Sequence, residues 1–309
     1  MGAARKRWGW GILAAGLLGL SPLFAQRADP NEEAAQKGFM TDVGRAPAWH
    51  LTQLKRMHAA IAALKPQRPG VVDAYVVAVG LDSDPVFGRE AAEAAKVLSR
   101  RYDAEGRTLL LAAGGGAGPV PNGSPANLQT ALAAVAGLMD AKEDVLLLYT
   151  TSHGAPKVGI VYKDGENGQG YIAPKSLAAT LNGLGIHNRM VLISACYSGI
   201  FIPDLVNDDT VLITAASPVT TSFGCAPAND WTFFGDALIN NAFRAPAKLD
   251  EAMGQALSLI GGWERMRGLP ASNPQYFVGA RARGWLTSLE ARTPATTTPK
   301  VGRPAIEEK

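Results

Sequence analysis

The chain has 309 residues, 47% of them hydrophobic and 18% charged, with a formal net charge of +3. That apolar content suffices for a large buried core and excludes an intrinsically disordered chain. Arg5, Lys6 and Arg7 alone account for the net charge and no acid precedes Asp29, so the remainder is near neutral and lacks the basic surface expected of a nucleic-acid partner.

Those three cations precede WGWGILAAGLLGLSPLFA, residues 8–25, an apolar run ending in small residues. Residues 1–25 read as a secretory signal peptide with cleavage after Ala25. At eighteen residues the run also sits at the lower limit for an uncleaved membrane anchor, although Gly9, Gly11, Gly16, Gly19 and Pro22 weaken a permanent helix. Either way the body of the chain is expected to be secreted or periplasmic, touching a membrane only if the segment is retained. Residues 26–69 read as a polar leader followed by an amphipathic helix, in which Leu51, Leu54, Met57, Ile61 and Leu64 recur at three- and four-residue spacing. His50 and His58 read as surface or packing residues of that segment.

The core begins with a strand at residues 73–80, followed by a loop, a helix at 88–101 and a second strand at 107–113. The glycine-rich run at 114–123 lacks the Lys-Ser/Thr ending of a phosphate-binding loop and reads as a flexible surface loop. Ser124 and Pro125 mark the start of a helix running to about Met139. A continuous apolar strand at 144–152 ends at His153, a hairpin-like insertion occupies 158–168, and Pro174 opens a helix with Gly185 near its end. The strand at 189–195 delivers Cys196, a fifth strand follows at 210–217, and Asn229 opens another helix. Further helix spans 250–266, a last strand lies at 274–280, and the Thr- and Pro-rich tail, 293–309, is expected to be disordered. Alternating strands and helices of this kind predict an α/β sandwich with a mainly parallel sheet.

In such a sheet the C-terminal strand ends line one edge, where the ligand crevice lies. His153 and Cys196 each end a strand and would meet there. An imidazole that takes the proton of a thiol yields a thiolate able to attack a carbonyl. Gly154 and Gly199 flank the pair and would let a backbone N–H approach an oxyanion. The expected chemistry is acyl transfer through a thioester, with His153 first assisting the thiol and then protonating the leaving amine. At this level Cys196 can also be a small buried residue, or half of a zinc site; the remaining histidines, His50, His58 and His187, have no Cys near them to complete one. Outside the cytoplasm the two cysteines, Cys196 and Cys225, can equally be read as one disulfide.

TTSHGAP (150–156) and ISACYSGIF (193–201) resemble the His-Gly and Ala-Cys blocks of the C13 cysteine peptidases, the legumain or asparaginyl endopeptidase family, which also includes the catalytic subunit of the GPI-anchor transamidase. DAYVVAVGLDSDPVFGREA (73–91) and TSFGCAPANDWTFFGDALINNAF (221–243) extend the resemblance over roughly residues 70–245. It implies a caspase-like three-layer α/β sandwich with a mainly parallel central sheet, as a catalytic domain over residues 70–292. It also implies a cysteine endopeptidase acting on peptide or protein substrates, without metal or cofactor. His153 and Cys196 would form the catalytic dyad, and the amides of Gly154 and Cys196 the oxyanion hole. Arg89, Ser222 and Asp236 match the family's pocket for the residue before the scissile bond, and a paired Arg and Asp would read both ends of an Asn side chain. The chain departs from legumains at Ser194 and Ser152, where they carry acids, and it lacks the Asn just ahead of the pocket Arg. Capture of the thioester by an amine would instead make a transpeptidase. A Cys196–Cys225 disulfide would leave a non-catalytic caspase-like binding module; without that bridge, Cys225 is a packing residue.

Overall fold

The computed structural model describes residues 37–115 and 117–307; the expected signal segment, 1–25, lies outside them. The leader contributes a short strand, β1 (Phe39–Asp42), and helix α1 (Pro47–Ala62). The central elements follow as β2 (Ala74–Gly80), α2 (Pro85–Arg101), β3 (Thr108–Ala112), α3 (Pro125–Ala136) and β4 (Val145–Thr151). Three short strands come next, β5 (Gly154–Ala155), β6 (Gly159–Asp164) and β7 (Gly168–Ile172), then α4 (Pro174–Gly183), β8 (Arg189–Ser194), α5 (Ile202–Leu205) and β9 (Thr210–Thr214). The chain closes with α6 (Phe233–Gly235), α7 (Leu249–Met266), β10 (Gln275–Val278) and α8 (Ala282–Glu290).

Six strands form the central sheet in the order β10-β9-β8-β4-β2-β3. All neighbours are parallel except β10, which runs antiparallel along β9. Successive side chains of a strand point to opposite faces, and both faces of this sheet are covered. Val76, Leu147, Tyr149, Leu192 and Ile213 pack toward α2, α7 and α8. Val77, Leu148, Val191 and Ile193 pack toward α3 and α4. Burial on both faces explains why the strands read in sequence as unbroken apolar runs rather than as alternation. The result is the α/β sandwich with a mainly parallel sheet that the element order predicts, with the three layers that the resemblance implies.

The insertion after β4 builds a second, antiparallel sheet in the order β1-β7-β6-β5. Its hairpin was expected; its fourth strand, contributed by the leader, was not. Phe39 pairs with Tyr171 and Asp42 with Gly168. Just past β1, Arg45 Nη2 lies 2.5 Å from Asp164 Oδ2 and its Nε 2.9 Å from Asp42 Oδ1. Among the described residues no helix is long and apolar enough to cross a membrane.

Two sequence expectations need correction. Asn229 does not open the helix that follows; its side chain donates to Gly224 O, and the N-cap is Thr232, whose hydroxyl accepts from Gly235 N. The tail expected to be disordered is folded against the domain as far as residue 307. Val301 O accepts from Trp231 Nε1 at 2.8 Å and from Asn240 Nδ2 at 3.1 Å, the Ala305 amide donates to Asp236 Oδ2 at 2.7 Å, and Ala305 is buried. The tail lacks an apolar period because it is held by backbone groups meeting buried side chains, a pattern hydrophobicity does not report. Deleting residues 294–309 should therefore destabilise the domain by about 2–4 kcal/mol, since each buried polar group left without its partner costs about 1–3 kcal/mol. Urea unfolding of the truncated and full chains measures the difference.

Candidate active site

The register of β4 against β8 sets Thr151 opposite Ser194, so His153 and Cys196 each lie two residues beyond a paired strand end, side by side on the same edge. The link continues one step past the strands, where Ser152 N donates to Ser194 O at 3.2 Å. Gly154 then packs directly on the Cys196 backbone: a Cβ there would stand 1.9 Å from the Cys196 carbonyl oxygen. Only glycine permits this approach. His153 O accepts from Val161 N, and antiparallel positions alternate between bonded and non-bonded pairs. Gly154, opposite Ile160, is therefore a non-bonded position whose N–H faces away from β6.

After Cys196 the chain turns sharply. Tyr197 adopts the left-handed conformation at φ 57°, uncommon for a residue with a side chain, and its amide is held by Thr220 O at 2.9 Å. The turn lifts Cys196 off the end of β8 and leads into a single 3-10 turn, Ser198–Phe201. Gly199, expected to serve substrate approach, instead packs on the turn at Ser217 and Pro218, where a Cβ would meet Pro218 Cδ at 2.5 Å.

The segment after β9 folds over the thiol. Ser222 N donates to Cys196 Sγ at 3.3 Å, with Ser222 O 3.5 Å and Ser222 Oγ 3.8 Å from the sulfur. A backbone N–H is thus aimed at the sulfur. Both cysteines are free thiols and both are partly exposed. Burial, and then the neighbouring Cys196, push the Cys225 thiol up, which keeps it protonated and weakly nucleophilic.

His153 stacks edge-on against buried Phe87 with ring centroids 5.0 Å apart, and its Nε2 lies 3.6 Å from Asp84 Oδ2. Among the described residues no group of three or more His, Cys, Asp or Glu could hold a metal ion.

The expected substrate-pocket residues divide. Ser222 is in the site, against the sulfur. Arg89 is half-exposed and holds the loop that follows Ser222: its Nη2 donates to Pro227 O at 2.9 Å and to Asn229 O, and its Nε lies 3.5 Å from Asp230. Asp236 is not available to a substrate, being 1% exposed. Its Oδ1 accepts from Asn240 and Asn241, and its Oδ2 from the Ala305 amide. The cause is local: residues Asp236–Asn241 form a π-turn, so positions four and five residues on both face Asp236 and close around it. The Arg–Asp pair expected to read an Asn side chain is thus not assembled.

One residue beneath the site carried no sequence signal. Glu90, fully buried on α2, accepts at Oε1 from Tyr149 OH at 2.7 Å, Thr151 Oγ1 at 2.8 Å and Ser194 Oγ at 2.8 Å, and at Oε2 from Thr232 N at 2.9 Å. Burial, and then this carboxylate, raise the Tyr149 hydroxyl well above its ordinary range, so it remains a donor. Ser194 stands where legumains carry an acid, and here it meets one from another element. Glu90→Gln would set an amide N–H₂ either against three hydroxyls that now donate or against the Thr232 N–H, which can only donate. It should cost about 1–3 kcal/mol in chemical denaturation, the penalty for unsatisfied buried polar groups.

The chain matches the sequence model of the Peptidase C13 family over residues 126–272, a span that includes His153, Cys196 and Ser222. No curated protein matches it. Among solved structures, Caspase-1 from Spodoptera frugiperda is similar at 12% identity and a TM-score of 0.44, covering 70% of this chain and 93% of that one. Residues 126–272 thus carry the sequence pattern of the Peptidase C13 family, a family of cysteine-type peptidases.

Proposed function

We propose that the protein is a cysteine endopeptidase in which Cys196 is the nucleophile and His153 its base. The observation that carries this reading is the shared sheet edge: His153 and Cys196 stand side by side past the ends of β4 and β8, with Gly154 against the Cys196 backbone and an amide N–H on the sulfur.

The chemistry follows from those positions. The Cys196 proton passes to the imidazole, and Sγ forms a bond to the scissile carbonyl carbon, whose π electrons move onto oxygen. The Gly154 and Cys196 amides, matched by the resemblance to the family's oxyanion hole, are the donors proposed for that oxyanion. As the carbonyl reforms, the C–N bond breaks and the imidazolium returns its proton to the leaving amine. Water then attacks the thioester with His153 as base, releasing the carboxylic acid and restoring the thiol. The Asn preference implied by the resemblance is not part of this proposal, because Asp236 is closed off. Export from the cytoplasm is proposed from residues 1–25 alone.

Incubating the purified protein with peptidyl electrophiles that differ in the residue before the reactive carbonyl, followed by mass spectrometry, tests the reading. A single adduct on Cys196, absent from Cys196→Ala, supports it; an inert Cys196 across the series overturns it. Cys196→Ala should reduce peptide hydrolysis to background. His153→Ala should lower kcat/KM by about 10²–10⁴-fold, the usual worth of a general acid–base. Cys225→Ser should keep most activity.

A further inference from the structure

Helix α2 begins at Asp84 and Pro85, and Asp is among the best N-cap residues. Asp84 occupies the N-cap, yet its side chain makes no cap hydrogen bond. The carboxylate instead faces the imidazole of His153, with Oδ2 3.6 Å from Nε2. A residue placed to cap a helix has given up that bond to stand beside the candidate base.

The turn bearing Asp84 is fixed by three hydrogen bonds to two strands. Leu81 N donates to Thr151 O at 3.0 Å, Ser83 N to Lys163 O at 2.8 Å, and Lys163 N to Leu81 O at 3.0 Å, which joins the turn to both β4 and β6. Asp82 does the local work that Asp84 does not: its Oδ1 accepts from Asp84 N at 2.9 Å. Asp82 is fully buried, and among the described residues its Oδ2 has no hydrogen-bond partner. Burial raises the Asp82 carboxyl. Phe87 covers the ring on a further side.

Resting on the peptidase reading above, we propose that Asp84 is a positioning residue for His153. It holds the Nε2–H edge of the ring, so that Nδ1 is the nitrogen left for the Cys196 thiol, and it stabilises the imidazolium formed when the thiol proton is taken. The 3.6 Å separation is the open form of a contact that tightens when the ring becomes charged, as catalytic hydrogen bonds commonly do on substrate binding. Asp84 touches neither the thiol nor the scissile bond and acts only through His153.

The test combines a spectroscopic and a kinetic measurement on the wild type, Asp84→Ala and Asp84→Asn. Long-range ¹H–¹⁵N spectra, recorded where the imidazole is neutral, report which ring nitrogen carries the proton. His153→Ala identifies the His153 signals among the four histidines. In the wild type the proton is expected on Nε2. Asp84→Ala should shift the tautomer balance and slow alkylation of Cys196 by iodoacetamide roughly tenfold or more. On any peptide that is cleaved, kcat should fall and KM stay within a factor of about three. Asp84→Asn, which retains an oxygen acceptor at the same reach, should restore the Nε2–H tautomer. A lowered Tm with unchanged His153 signals would mark Asp84 as merely structural and overturn the proposal. The spectra require no turnover, so the two readings fail separately. A wild type inert at Cys196 whose His153 still responds to Asp84 would refute the peptidase and uphold the positioning; an active enzyme whose His153 ignores Asp84 would do the reverse.

Discussion

The carboxylate of Glu90 is the point on which the geometry of the site converges. It reaches from the helix on one side of the sheet and takes hydrogen bonds from two residues of β4, one of β8 and the turn that begins α6. A buried carboxylate is tolerated only when its oxygens are satisfied, and the four groups that satisfy this one come from the strand ends that precede His153 and Cys196 and from the segment that folds over the thiol. Any shift of one strand past the other would leave a buried carboxyl oxygen short of a donor. The same bonds that make Glu90 admissible therefore fix the spacing of the two strand ends. Gly235, where a Cβ would stand 2.1 Å from Oε2, leaves the room this requires.

Above that anchor the site is shaped mainly by the backbone. The left-handed Tyr197, the close approach of Gly154 and the Ser222 amide on the sulfur all orient main-chain groups around one thiol. Left-handed conformations of residues with side chains are costly and persist where surrounding bonds over-determine them. Here the Thr220 carbonyl supplies that restraint, and Thr220 is itself tied through its hydroxyl to Ser272 O. Ser272 in turn donates from its amide to Glu264 Oε1 on α7. The thiol is thus positioned by a chain of contacts running from the centre of the sheet to the outer helix layer.

Much of this was legible in the sequence. Buried parallel strands leave long apolar runs, and the polar clusters that end two of them named His153 and Cys196 before any geometry was known. Asp84, Glu90 and Tyr197 escaped notice for separate reasons. An Asp before a Pro reads as a helix cap, and only the structure shows its side chain turned elsewhere. A Glu within a helix of strong helix formers reads as a solvated face, because sequence does not reveal that hydroxyls from two other strands converge on it. A left-handed Tyr has no compositional signature, unlike a glycine in the same conformation. Asp236 was misread because the resemblance supplied its role, whereas the π-turn and the folded tail decide its surroundings. Strand β1 was missed because four residues of backbone pairing with β7 need no hydrophobic period.

That leader strand limits how the chain can be processed. The loop bearing Asp82 and Asp84 leans on β6, whose last residue, Asp164, is held by Arg45. Asp164 also accepts from the Gly114 amide at 2.9 Å, so it bridges the leader and the turn after β3. A proteolytic cut anywhere ahead of Phe39 leaves this brace intact. A cut that sheds residues 39–45 exposes an edge of the small sheet and strips Asp164 of its cation. The leader is thus a strut of the small sheet, joined to it by the β1–β7 pairing and by Arg45 on Asp164.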